Sequence, residues 1–523
     1  MLNFKKYVMK KRFISSIVVL FSTLLLVVFT TSCSNDFFDR PSEDKYSVDT
    51  FFNSDEQVTS STNILYATPW FEYAANKAMY ATAELTSGNG RTWDDDTADY
   101  MGLRVTNRKG HLTSAWGALF SVVAQANLLI NSLSNLSSEN LDQEGINNAL
   151  GEARFIRAMA YFHIVRLWGD VPIIENNLDL IYEPKIPKNP VTDVYRFIKM
   201  DLEFAIENCF SQSETLPGKV SSEGAMALLA KVYLYEKDYT NARSLAEEVI
   251  ASGAFELMPS YDDLFLTEND NNEETIMSLQ WSGSGDFGEG QALQAFFAEE
   301  SSGEITGTSD GWSSIGPSID LQEAYETGDL RKTPTIMQAG NFYPKLNGGY
   351  TVTDGVNAQG TKAAVKKYVV GTPANNGGGG QMSMPNNTYL MRYADVFLIH
   401  AEAVMAGAVS TTDGAALNSV NRVRERAGLG DLTELTEDQI LKERRLEFAF
   451  EGEYFFDLQR IDRSRAKAII ANQQRGTYSN DTPPVIYDEK YTADDEDFIF
   501  PIPLIEILDN PLLGEAPVPY DFN

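Results

Sequence analysis

The residues with the clearest chemical potential are aromatics in loops where packing does not explain them. Trp93 sits in Asn89-Gly90-Arg91-Thr92-Trp93-Asp94-Asp95, and Trp312 in Ser309-Asp310-Gly311-Trp312-Ser313. Trp281 and Tyr343 stand in similar company. A sugar ring presents an apolar C–H face rimmed by hydroxyls. An exposed indole covers such a face, while Asp, Asn and Arg side chains bind the hydroxyls. Trp93, Trp312, Arg91, Asn89, Asp95, Trp281 and Tyr343 are therefore the candidate ligand-binding residues. The alternative for each indole is that it only packs its loop onto the body. Trp70, Trp116 and Trp168 fall in helical stretches and are read as core.

Covalent chemistry has weaker support. Asp94-Asp95-Asp96 lies beside Trp93, and a glycosidase needs only two carboxylates. The plainer reading is a solvated acidic loop. Of the three histidines, His163 and His400 lie in apolar helical stretches and read as satisfied core residues; His111 has no partner at metal-ligand spacing. No Gly-rich loop follows a strand and opens a helix, and no G-x-S-x-G elbow occurs. Asn269-Asp270-Asn271-Asn272-Glu273-Glu274 fails the calcium-loop pattern. No catalytic residue, no metal and no cofactor is expected.

The 523-residue chain carries 42 basic against 74 acidic side chains, a net charge of −32. Such a body repels phosphate, which argues against nucleic acid as a partner. It also repels anionic head groups, so membrane attachment should not rest on a basic patch. Residues 1–32 show another route. Lys5, Lys6, Lys10, Lys11 and Arg12 precede an apolar run densest from Ile17 to Phe29, followed by Thr30, Thr31, Ser32 and Cys33. A basic start, a short apolar segment and small residues before a cleavage point describe a secretory signal. The apolar run is shorter than the roughly 20 residues of a membrane span. The residues before Cys33 resemble a lipobox, with Thr30 where Leu is usual, and Cys33 is the expected lipidation site. Cys209, in an apolar helical stretch, reads as an inert core thiol.

The elements that must position the loop aromatics are mainly helical. Ala153, Ile156, Ala160, Ile164 and Leu167 form one apolar stripe, stopped by Gly169-Asp170 and Pro172. Leu229, Ala230, Tyr233, Ala242, Ala246 and Val249 fit tetratricopeptide spacing, with Lys237-Asp238-Tyr239 as the turn. A second pair spans Tyr393–Met405 and Ala415–Ala427, and the segment 151–210 supplies two further helices split by the Pro-rich 172–190. Residues 281–316, 345–388 and 474–497 read as loops. The predicted fold is mainly α: an interrupted tetratricopeptide-like helical-pair solenoid with long loop insertions and minor β-structure. Thr436 with Gln439 forms a capping box, and Gly452 is placed as the C′ residue closing that helical segment. Glu443, Arg444, Arg445 and Glu447 are expected to lock helices together rather than touch ligand.

Several segments together resemble the SusD/RagB family. They are Gly151-Glu152-Ala153-Arg154-Phe155-Ile156-Arg157-Ala158 through Leu167-Trp168-Gly169-Asp170-Val171-Pro172; the 227–235 run; Leu390-Met391-Arg392-Tyr393-Ala394-Asp395; and Glu443-Arg444-Arg445-Leu446-Glu447-Phe448 with Phe456-Asp457-Leu458. The chain closes with Phe500-Pro501-Ile502-Pro503 and Asn510-Pro511, as this family does. It then departs, with Glu515-Ala516-Pro517-Val518-Pro519 replacing the usual Gln-Asn-Pro-Gly.

The resemblance implies a division into a signal peptide (1–32), a lipidated tether (33–50), an N-terminal helical region (51–255) and a C-terminal region with loop insertions (256–523). It implies a non-enzymatic lipoprotein on the extracellular side of the outer membrane. Such a protein captures an oligosaccharide or polysaccharide on an arc of loop aromatics and delivers it to a SusC-like TonB-dependent transporter. Three alternatives stay open at this stage: peptide capture of the RagB kind, a surface hydrolase using Asp94 or Asp95, and a scaffold that binds only protein.

Overall fold

A computed structural model describes residues 52–136, 140–299 and 303–522. The expected signal peptide, Cys33 and the tether lie outside the described residues. The fold is that of the unit beginning at Ser54.

Its frame is a run of helices, each packed on the next: α1 (Gly110–Ser134), α2 (Gln143–Trp168), α3 (Val191–Asn208), α4 (Ser222–Tyr235), α5 (Tyr239–Ser252), α6 (Tyr393–Met405) and α7 (Gly414–Arg426). Local sequence sets their ends. Asp142 accepts from the Glu144 and Gly145 amides to start α2, and Gly169 at φ +71° ends it. Ser221 and Asp238 cap α4 and α5. A Cβ on Gly151 would lie 2.7 Å from the Cys209 sulfur, so only glycine lets the end of α3 approach α2 this closely. Cys209 is buried and burial pushes its thiol pKa up, as expected of an inert core cysteine. Helix α1 is long and apolar enough to cross a membrane, but Leu112, Leu119, Val122 and Leu133 are buried in the body.

Among the described residues, the longest break in the run of helices lies between α5 and α6. The inserted chain leaves through the strand Thr275–Leu279 and returns through its antiparallel partner Thr388–Arg392, so α5 and α6 still stack. That packing crosses the expected boundary at 255/256. The remaining strands form two-stranded pairs of two or three residues each. Trp70, Trp116 and Trp168 are core residues. His163 Nδ1 accepts from the Arg166 guanidinium at 3.1 Å and lies 2.9 Å from the Tyr73 hydroxyl, but its buried Nε2 has no partner among the described residues, so this core histidine is only half satisfied. His400 Nδ1 bonds the Ser419 hydroxyl at 2.7 Å and its Nε2 donates to Glu247 at 3.3 Å, as predicted for a core histidine.

After α7 come α8 (Glu437–Glu447), α9 (Tyr454–Arg460) and α10 (Arg463–Asn472). The Thr436–Gln439 capping box forms. The C′ assignment of Gly452 is corrected: α8 ends at Glu447, with Phe448 as its cap. Gly452 lies beyond it at φ +84°, and its amide donates to the buried Glu84 carboxylate at 2.7 Å. The backbone leaves the helical region at Phe448 and turns through Phe450 at φ +65°, and Glu447, the last helical residue, sits in a buried ionic cluster. Arg392 bonds Glu274, Glu447 and Glu451, each at 2.7 Å. Arg331 bonds Glu443 at 2.5 Å, and Arg426 bonds Glu274 and Glu447. Arg444 bonds Asp395 at 2.6 Å and Asp457 at 2.9 Å. The expected locking role of these charges is the one observed.

One isolated carboxylate yields a pH prediction. Asp270 is half-buried and accepts the Asn387 amide at 2.9 Å. Burial raises its pKa to about 7, partly offset by that bond. The folded state then holds a proton that the unfolded chain releases near pH 4, so Asp270 costs stability increasingly from about pH 4 to 7. Asp270→Asn keeps the acceptor and removes the charge. Melting curves across that range should show the wild type falling relative to the variant; parallel curves would refute the assignment.

Candidate ligand-binding site

Trp93 stands at a meeting point of four chain segments. Its own segment is tethered by the strand Gly90–Arg91, which pairs antiparallel with Gly316–Pro317. The Thr92 hydroxyl donates to the Ser314 carbonyl at 2.8 Å. The Trp93 amide donates to the Gln359 side-chain oxygen at 2.6 Å, and the Gln359 amide group donates to the Ser313 carbonyl at 2.6 Å. The loops carrying Trp93 and Trp312 are thus bonded to each other, directly and through Gln359.

Arg91 supports the indole from below. Its guanidinium lies 4.5 Å from the Trp93 ring centroid. It is fixed there by the Arg475 carbonyl at 3.1 Å, the Gln359 carbonyl at 3.0 Å and Glu489 at 3.2 Å. One face of the ring is covered by the cation, and Trp93 as a whole remains 59% exposed. A large apolar side chain held in place yet left open has no packing role to account for it. Arg475 anchors the floor. It is buried, has no ion-pair partner among the described residues, and donates to the carbonyls of Thr86 at 3.1 Å and Met101 at 2.8 Å. Arg445 of α8 reaches the same segment, bonding Asn89 at 2.8 Å and Asp320 at 2.7 Å.

Gly360 closes one edge. A Cβ there would lie 2.7 Å from Cη2 of Trp93 and 2.9 Å from Cγ2 of Thr477, and its φ is +78°. Gly360→Ala should therefore displace the indole, cost about 1 kcal/mol or more of stability, and weaken ligand binding several-fold. Wild-type melting and binding in that variant would contradict the packing described.

The other predicted residues divide sharply. Trp312 is half-buried; its ring packs on Phe296 at 5.5 Å and its amide donates to the Ala295 carbonyl at 2.8 Å. Asp95 is exposed in the acidic loop. Its neighbour Asp96 bonds Lys77 at 2.8 Å and His111 at 3.2 Å; burial opposes ionisation, but these two partners hold Asp96 below the usual carboxylate range. Arg91 is a support rather than an open contact, since its side chain is 5% exposed.

Three expectations of open contact are corrected. Asn89 is fully buried, with its amide group on Glu84 at 2.9 Å and its oxygen on Arg445. Trp281 is buried and its ring nitrogen donates to Thr388 at 3.0 Å; Phe71 packs on it and Phe287 packs on Phe71, and the exposed aromatic of that loop is Phe287. Tyr343 is buried, donating to the Thr333 and Ile336 carbonyls. Strand alternation turns its neighbour outward instead, and Phe342 is 59% exposed.

Among the described residues no cluster of three or more His, Cys, Asp or Glu is arranged to hold a metal.

Comparison with known proteins matches this architecture. A family model described as "SusD family" matches residues 337–518, and one described as "Starch-binding associating with outer membrane" matches residues 36–234. A SusD-like protein of Bacteroides ovatus is 34% identical, covering 95% of this chain and 98% of its own length. The starch-binding protein SusD of Bacteroides thetaiotaomicron is 25% identical over 71% of this chain and 74% of its own length. A crystal structure solved with a xylogluco-oligosaccharide superposes with a TM-score of 0.81 at 33% identity, covering 89% of this chain and 99% of that one. With family models matching in both the N- and C-terminal parts, and a relative aligned along nearly the whole length, the chain belongs to the SusD family.

Proposed function

We propose that this protein is a cell-surface lipoprotein that binds an oligosaccharide on the Trp93 platform. It passes the glycan unaltered to a SusC-like TonB-dependent transporter. The observation that carries the proposal is the Trp93 indole, stacked on a fixed guanidinium and still 59% exposed. Binding then needs little ordering of the protein, because the ring is held before the ligand arrives. The glycan's C–H face lies on the indole. Asp95, exposed in the same loop, accepts hydroxyl hydrogens, and Trp312 in the bonded neighbouring loop extends the apolar surface. The similar protein solved with a xylogluco-oligosaccharide makes β-linked glucans the first ligands to test.

Lipidation at Cys33 would hold the protein on the outer face of the outer membrane, and the helical frame would dock the transporter. No covalent step is needed for this role. The test is a binding panel of xyloglucan, other β-glucan and α-glucan oligosaccharides together with short peptides, followed by recovery of the ligand. The expected result is binding of one glycan class, recovered at its original length. Capture of peptides alone, or shortened glycan, would overturn the proposal.

A further inference from the structure

The chain after α10 folds into a feature that the loop reading of 474–497 did not anticipate. Thr477–Tyr478 pairs antiparallel with Ile486–Tyr487, with Thr477 opposite Tyr487. The Ser479 amide extends the ladder to the Val485 carbonyl at 2.7 Å, and the Arg475 amide extends it to the Glu489 carbonyl at 2.9 Å. Residues directly opposite in such a pair share a face, with Cβ atoms about 4.5–5.5 Å apart. Tyr487 therefore stands beside Thr477, and Thr477 meets Trp93 across Gly360.

Residues two apart in extended chain also share a face. Glu489 bonds Arg91, the cation under Trp93, at 3.2 Å, and the Tyr491 hydroxyl donates to Glu489. Tyr487, Glu489 and Tyr491 thus form an aromatic–acid–aromatic strip whose acid is tied to the Trp93 support. Tyr487 is 61% exposed. The Tyr491 phenol is pushed up to about 12 by burial and by its bond to Glu489, so it stays protonated and holds that carboxylate in place.

We infer that this strip is a continuation of the sugar-binding surface. Tyr487 would stack a ring further along the glycan than the one on Trp93, and Glu489 would accept hydroxyl hydrogens between them. The inference rests on the oligosaccharide-binding reading of Trp93 and adds a length requirement to it. The protein would select extended chains over short ones.

The experiment is calorimetric titration of full-length protein with xyloglucan oligosaccharides of one and of two repeating units, and with maltotriose and maltoheptaose. Whichever series binds, Tyr487→Ala should weaken the longer member about tenfold and leave the shorter within about twofold. Tyr487→Phe, which keeps the ring, should bind both like wild type. Trp93→Ala should weaken both lengths. If Trp93→Ala loses binding while Tyr487→Ala affects neither length, or both equally, the strip is not a subsite and the Trp93 reading stands. If wild-type protein binds neither series, both fall together.

Discussion

Glu447→Ala is expected to cost about 3–5 kcal/mol of folding stability, more than any other single change considered. Glu447 is buried and bonds three arginines: Arg331, Arg392 and Arg426. Those arginines arrive from different parts of the chain. Arg331 and Arg392 belong to the insertion between α5 and α6, and Arg426 ends α7. Removing the carboxylate leaves cationic groups buried with too few anions, and desolvation of a charge is not recovered inside the protein. Glu447→Gln should cost less, since its oxygen still accepts. Burial alone would raise the Glu447 pKa, but the three guanidinium groups outweigh it and hold it far below the ordinary range. A depressed carboxylate contributes stability that is present above the unfolded pKa and lost as pH falls through the folded value. The ionic contribution should therefore persist at neutral pH and begin to erode below about pH 4. Urea unfolding checks both statements; a Glu447→Ala midpoint equal to wild type would show that the cluster does not hold the insertion.

Trp93→Ala should weaken glycan binding about 30-fold while leaving the melting temperature unchanged. The two halves of that expectation have separate causes. An indole that covers one sugar face removes on the order of 80 Å² of apolar surface from water, worth about 2 kcal/mol at 25 cal/mol per Å², and that is about 30-fold in affinity. Stability should not move because Trp93 is 59% exposed, and it meets Arg91, Gln359 and Gly360 rather than serving as a core residue. Trp93→Phe should retain part of the affinity. A variant that binds as wild type would remove Trp93 from the site, and one that unfolds would make it a structural residue.

The frame was legible in the sequence because helix crossing leaves a compositional trace. Ala230, Ala242 and Ala246 are fully buried where α4 and α5 meet. Trp70, Trp116 and Trp168 read as core because they fall in helical stretches, and all three are buried. The site was less legible. Trp281 and Tyr343 share the loop composition of Trp93, but composition does not tell which side of a strand a residue takes. A shift of one position separates buried Tyr343 from exposed Phe342. Asn89 looked like a hydroxyl ligand because nothing local shows that Arg445, 356 residues away, completes its hydrogen bonds. The same long-range bond gives the Glu443–Phe448 motif a role beneath the site as well as in the frame. Tyr487 was hidden because Pro483, Pro484 and the surrounding acidic residues read as loop, and strand pairs of two residues have no periodicity to detect.

The most direct measurement is a crystal structure of the protein grown with the oligosaccharide that binds it. An unbroken glycan should be present, with one ring lying flat on the open face of Trp93. A glycan bound elsewhere with that indole bare, or a cleaved product between two carboxylates, would contradict the proposal.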